Sequence, residues 1–170
     1  EAQTTLRELY EEFRARLDAN TRLIGRASAP ALDADSFIKY YPLLPYHIGL
    51  LIDVVSGLRT QAGPNKHLGG ANRTIIKLTQ QLLIHTDSDL ANQPVGTLAT
   101  LDLMYDRLVG NIPDDIVTKI NGIPAYVDHR LAQPVAKAIC LLNYAGEDVP
   151  CNAENIAAVL HPAVDADSQL

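Results

Sequence analysis

Apolar side chains recur with a helical period along almost the whole chain. Leu6, Leu9, Tyr10, Phe13, Leu17 and Ile24 follow the i, i+3, i+4 spacing of one helix face, while Arg7, Glu8, Glu11, Glu12, Arg14 and Arg16 fill the other. Thr5, with Glu8 three residues on, has the form of a capping box, and Gly25, Ser28 and Pro30 mark where this first helix gives way to a loop. Asp33 or Asp35 caps a short helix through Phe37, Ile38 and Tyr41, which stops there because Pro42 disfavours the α conformation in the residue before it. Pro45 suits the first turn of a longer helix. Its stripe of Ile48, Leu51, Ile52, Val55 and Leu58, widened by Leu50 and Val54, predicts burial on most sides, with an end before Gly63-Pro64.

Gly63 to Gly70 (GPNKHLGG) predicts a turn-rich loop. Helical spacing resumes from Ala71 through Ile75, Ile76, Thr79, Leu82 and Leu83 to about His85, which places Arg73 in the first turn. A polar loop, Thr86 to Gly96, leads to a fifth helix with Leu98, Leu101, Met104, Tyr105 and Leu108, closed by Gly110, and then to a shorter helix from Asp114 to Ile120 behind Pro113. Leu131, Val135, Ala138, Ile139 and Leu142 predict the next helix, which Pro134 either starts or kinks and Gly146 ends. Asn152 caps a last helix through Ile156, Val159 and Leu160, so Leu131 to His161 reads as helix, turn, helix. No internal repeat and no alternating strand of useful length stands out. The fold class expected is therefore all-α, a multi-helix bundle divided into 1-125 and a helix-turn-helix-like segment with a polar tail, 126-170.

Composition agrees with that pattern. The 170 residues are 47% hydrophobic and 20% charged, but only 5% aromatic and without Trp, so the core must be built from Leu, Ile, Val and Ala, which favours helix packing. No apolar run approaches the roughly 18 residues that cross a bilayer, and Glu1 to Asn20 is amphipathic and charged, unlike a secretory signal. A cytoplasmic protein with no membrane contact is the expectation, with Cys140 and Cys151 as reduced thiols. The start at Glu1 and the polar residues Asp165 to Leu170 point to a domain of a larger chain. A net charge of -6, with no clustering of Lys or Arg, argues against a nucleic-acid surface.

Catalytic signatures are sparse. A phosphate-cradling loop would end in Lys-Ser/Thr, and GPNKH around Lys66 lacks both the second Gly and the hydroxyl. His47, His67, His85, His129 and His161 show no HxxxH pairing, no CxxC is present, and no Ser sits in a GxSxG elbow. Cys140 falls on the side of its helix that reads as buried, where a thiol is core rather than nucleophile. The helix from Asn152 starts Asn-Ala-Glu-Asn with no Lys or Arg, so a packing role is expected in place of a DNA-reading one. Arg73 remains. It is either a surface residue paired with an acid such as Asp53 or, being suited to bidentate phosphate recognition, a group that reaches a nucleotide on a neighbouring domain.

The runs FIKYYPLLPYHIGLLIDVVSGLRT (Phe37 to Thr60), KHLGGANRTIIKLTQQLL (Lys66 to Leu83) and QPVGTLATLDLMYD (Gln93 to Asp106) carry a family resemblance. Together they resemble the region following the ATPase core in the large P-loop ATPase of bacteriophage-exclusion (BREX) defence systems, the BrxC/PglY type, over roughly Leu6 to Leu160. The resemblance implies an AAA+-like helical lid followed by a truncated winged-helix-like segment, with Arg73 as a sensor of the γ-phosphate. It also implies that ATP and Mg are bound elsewhere in the parent protein, since Walker A and Walker B sequences are absent from this chain. The chain would then be a non-catalytic lid and interaction module, partnered by the ATPase core of the same protein and by other phage-defence subunits. A purely structural protein-interaction domain, with Tyr40, Tyr41 and Tyr46 in core or interface, is the alternative.

Overall fold

The computed structural model describes residues 1–25, 30–61 and 71–167. Their secondary structure is helical throughout, in the order α1 (Ala2–Asn20), α2 (Ala34–Tyr40), α3 (Pro45–Gln61), α4 (Ala71–Ile84), α5 (Leu101–Leu108), α6 (Asp114–Gly122), α7 (Ala132–Ala145) and α8 (Ala153–Val159). Short 3₁₀ turns at Leu90–Asn92, Val109–Asn111 and Ile123–Ala125 join some of them. The expected all-α bundle is what forms. The loop expected over Gly63 to Gly70, including Lys66 and His67, lies outside the described residues.

The centre of the bundle is the crossing of α3 and α7, the most extensive helix pair, with α5 against α7 and α4 against both α3 and α5. Leu50, Leu51, Val54, Val55 and Leu58 of α3 meet a common apolar core with Ala138, Leu141 and Leu142 of α7 and Leu101, Met104 and Tyr105 of α5. This face of α3 is rotated from the stripe expected of it, because Ile48 is half-buried and Ile52 exposed at its edge while His47 takes a core position. Gly57 lets the two backbones approach. A Cβ built there would lie 2.1 Å from the carbonyl oxygen of Tyr144. One core therefore runs continuously through residues 1–125 and the α7–α8 segment of 126–170.

The α1 boundaries differ from those expected. The helix reaches back to Ala2, so Thr5 sits inside it with its hydroxyl donating to the Glu1 carbonyl, and the Thr5/Glu8 pair is not a capping box. It also ends early, at Asn20, where the Thr21 hydroxyl closes the last turn by donating to the Leu17 carbonyl at 2.7 Å. Beyond it, Asn155 captures Ile24: the Ile24 N–H donates to Asn155 Oδ1 (2.7 Å) and Asn155 Nδ2 donates to the Ile24 carbonyl (3.0 Å). Those bonds satisfy the backbone of Ile24 outside any helix. Gly25, at φ +93°, then turns the chain against Pro150 and Asp148, where a side chain would meet atoms under 3.0 Å away.

Other expected signals hold. Asp33 caps α2 in a reciprocal capping box with Ser36, and Asn152 caps α8 by accepting from the Asn155 N–H. Pro134 lies in the first turn of α7 and so starts that helix without kinking it. Leu98, expected within the fifth helix, precedes it in a non-helical segment, Gly96 to Ala99, which opens with a turn at Gly96 (φ +105°) and is clasped on two sides. On one side the Gly96 N–H donates to Tyr41 Oη and the Ala99 N–H to the Pro42 carbonyl; on the other the Leu98 N–H donates to Pro162 and the Val164 N–H to Gly96. The expected polar tail is tied down as far as Asp167: Val164 is buried, and Arg16 binds the Asp165 carbonyl and the Asp167 carboxylate.

Candidate functional site

Helix α4 is anchored by one face and open on the other. Ile75, Leu78 and Leu82 sink into the core, which fixes the helix against α3 and α5. Arg73, Ile76, Lys77, Gln80 and Ile84 then fall on the opposite face at helical spacing, and all five are exposed. Ile76, read from sequence as part of the apolar stripe, is 70% exposed, and Ile84 is 65% exposed. Arg73 stands in the first turn and has no ion pair or hydrogen bond with Asp53 or with any other described residue. Some other cations are paired, Arg7 with Asp35, Arg16 with Asp167, Arg107 with Asp87, and Lys137 with Asp106 at 2.7 Å, while Arg22, Arg59 and Arg130, like Arg73, pair with no described residue.

The tyrosine block serves the core. Tyr46 is buried at the start of α3, its hydroxyl donates to the Ala158 carbonyl at 3.2 Å, and burial pushes its pKa up. Tyr41 packs on Phe37 and accepts from Gly96, while half-buried Tyr40 carries Lys39 over its ring. These residues link α2 and α3 to α8 and to the clasped segment, a role that sequence spacing alone left open between core and interface.

The titratable groups most shifted from their ordinary values are buried ones. His47 is 1% exposed; its Nδ1 accepts from the Leu44 N–H at 2.9 Å, and burial lowers its pKa from 6.5 to about 3, so the ring is neutral. His161 is also lowered, by burial first and then by the Arg16 charge. The Cys140 thiol is raised to about 11 by burial, which leaves almost no thiolate at neutral pH. Cys140 and Cys151 are both free. Among the described residues no group of three His, Cys, Asp or Glu side chains is placed to hold a metal ion. A broad open groove of about 650 Å³ between α1 and α2 is lined by Gln3, Thr4, Arg7, Asp35, Ile38 and Lys39, and its charges Arg7 and Asp35 already pair with each other.

Asn155 is the residue whose role sequence reasoning missed. It stands in the opening Asn-Ala-Glu-Asn run of a helix expected to pack, with no role of its own assigned; it is fully buried, and its side chain binds Ile24 on both backbone atoms and the Pro150 carbonyl at 2.8 Å. Its neighbour Asn152 spends its side chain on the cap. No sequence signal distinguishes such a polar staple from a surface Asn.

Fold and site together define an all-α helical bundle that presents one cationic and apolar helix face. No family model matches the sequence, and no solved structure matches it. Among the described residues no single helix is long and apolar enough to cross a membrane; α2 and α3 pass such a test only together, bent by 52°, with Phe37, Leu50, Leu51 and Val54 in the core.

Proposed function

We propose that this chain is a helical lid and interaction module of an ATPase in bacteriophage defence, closing through Arg73 over ATP held by a neighbouring domain. The observation that carries the reading is Arg73 itself: an exposed guanidinium, unpaired among the described residues, at the N-terminal turn of a helix locked into the core by its other face. A planar fork on a rigid helix suits the oxygens of a terminal phosphate, and the positive end of the helix dipole adds to the attraction. Lys77, one turn on, adds a second exposed cation. The nucleotide comes into the reading from the resemblance of Lys66 to Leu83 to the BREX ATPase. In it, magnesium and the phosphate-cradling loop belong to the ATPase core of the parent protein, which is cytoplasmic. Other defence subunits take the helical surfaces, and DNA is not contacted through this chain.

Arg73→Ala in the parent ATPase tests it. ATP hydrolysis is expected to fall about tenfold or more, as when one charge-stabilising donor is lost from a phosphoryl-transfer site. The melting temperature should hold, because the side chain is exposed. Unchanged turnover would remove the sensor role. The second reading, an interaction domain with no nucleotide role, is favoured by the exposure of Ile76 and Ile84 beside Arg73. Under it Ile84→Glu weakens partner binding while Arg73→Ala leaves turnover alone.

A further inference from the structure

The exposed face of α4 is complementary to itself. Two apolar residues, Ile76 and Ile84, stand four residues either side of Gln80; Arg73 stands seven residues before it and Asp87 seven after, in the turn that follows the helix. Asp87 is 71% exposed, with Arg107 and His85 at 3.5 and 3.4 Å. We infer that α4 is a docking face for a second copy of this chain, the two helices running antiparallel about a two-fold axis at Gln80.

An isologous contact demands that residue i meet j while j meets i. With the axis at Gln80, Ile76 of one copy faces Ile84 of the other at about 6 Å along the helix from the axis, and Arg73, about 10 Å out, comes to the end of the other helix, where Asp87 stands in the turn after Ile84 beside Arg107 and His85. The isoleucines therefore cover one another, and Arg73 comes to the end of the helix that leads to Asp87, twice over. The two Arg73 side chains end up roughly 20 Å apart, beyond the Debye length of about 8 Å at physiological salt. Lys77 lies at the edge opposite half-buried Leu83, where its methylene stem covers apolar surface while its ammonium stays wet. No other register centred within the helix sets the isoleucines face to face and also brings Arg73 to the end that leads to Asp87.

A pair of helices about 20 Å long buries less than the roughly 1,200 Å² of a standard interface. The dimer is accordingly weak, with a dissociation constant on the order of 10–100 µM. The inference shares Arg73 with the nucleotide reading, since a guanidinium placed at the second copy does not at the same time reach a phosphate; Ile76, Ile84, Gln80 and Asp87 have no part in sensing phosphate, and they tell the two apart.

Sedimentation equilibrium of this chain, without nucleotide, over about 1 µM to 1 mM tests it. Self-association is expected, weakened about tenfold or more by Ile84→Glu. Arg73→Asp or Asp87→Arg should each weaken it severalfold, and the double exchange should recover most of the loss, with circular dichroism showing each variant folded. A register-specific readout is Gln80→Cys in a Cys151→Ser background: a residue on the axis faces its own counterpart, so this variant should form a disulfide-linked dimer much faster than exposed Thr118→Cys on α6. A chain that stays monomeric, a dimer indifferent to Ile84→Glu, or equal crosslinking at positions 80 and 118 would overturn the inference. Loss of ATPase activity in Arg73→Ala with none in Ile84→Glu would leave the nucleotide reading standing whatever becomes of the dimer.

Discussion

Replacing Gly57 by alanine puts a methyl group where the backbone of α7 already is. The added carbon would lie 2.1 Å from the Tyr144 carbonyl oxygen and 3.0 Å from its carbon, whereas ordinary contact begins at 3.4 Å, a deficit of about 1.3 Å. The obstacle is main chain on both sides, so no rotamer change relieves it; α3 and α7 must separate or slide. Their contact is the largest in the bundle, and a gap of 0.5–1 Å already forfeits a quarter to a half of each dispersion well. Against this stands a gain of about 1 kcal/mol from exchanging Gly for Ala inside a helix. Overpacking costs roughly 1–3 kcal/mol where side chains can adjust. With rigid backbone on both sides the upper end applies, leaving a net loss of about 2 kcal/mol. For a chain of this size that is about 4–8 °C in Tm, and in urea it lowers the midpoint at unchanged slope. Gly122→Ala, at the end of α6 where a Cβ meets nothing within 4 Å, is the control and should be neutral or slightly stabilising. If Gly57→Ala proved as stable as wild type, the close α3–α7 crossing would be wrong.

Asn155→Ala leaves the N–H and carbonyl of Ile24 without their partner and removes one of two donors to the Pro150 carbonyl, which keeps the Asn152 N–H, and should cost about 2–4 kcal/mol; a loss under about 0.5 kcal/mol in urea titration would refute the staple. Tyr46→Phe removes only the bond to Ala158 and should cost about 1 kcal/mol by the same assay. For His47 the folded pKa lies below the unfolded one, so between pH 6.5 and about 3 the unfolded chain binds the extra proton and stability falls as pH falls. The lowered pKa of His161 acts in the same direction. The His47 shift is worth on the order of 5 kcal/mol by the acid end, and His47→Gln should flatten the decline of Tm below pH 6.5, a change that a series of thermal melts would detect.

The helices were legible because their signals are local. Asp33 with Ser36 and Asn152 with Asn155 declare caps within four residues, and Pro134 can sit in a first turn but scarcely deeper. The errors fall where a distant group decides. Thr5 and Glu8 fit a capping pattern, yet nothing local halts the helix before them, and α1 runs back to Ala2. Ile24 fits the apolar period of α1, but Asn155, 131 positions away, takes its backbone. Ile76 fits the stripe of α4, but the core takes Ile75, Leu78 and Leu82, with Leu83 half-buried against it, and leaves Ile76 outside. Leu98 fits the fifth helix, but two other segments hold it extended. Arg73 was singled out by its neighbours in sequence; that it stands exposed, beside two exposed isoleucines and apart from Asp53, depended on which face α4 buries.

The ties between Asn155 and Ile24 and between Arg16 and Asp165 span 131 and 149 residues. Contacts of such separation close last, since the loop entropy they remove is spent before they reward it. Of the helices described, α1 is synthesised before the others, and its end cannot be fastened until Asn155 and Asp165 have followed, an interval of roughly ten to thirty seconds at ordinary synthesis rates. During that wait the apolar face of α1 depends on α2 alone, its principal contact among the helices. Joining residues 1 and 167 through a linker that spans the roughly 20 Å of α1 between Arg16 and Glu1, and opening these residues at an exposed loop, would bring the tied groups closer in sequence, and such a permuted chain should fold faster while reaching the same structure.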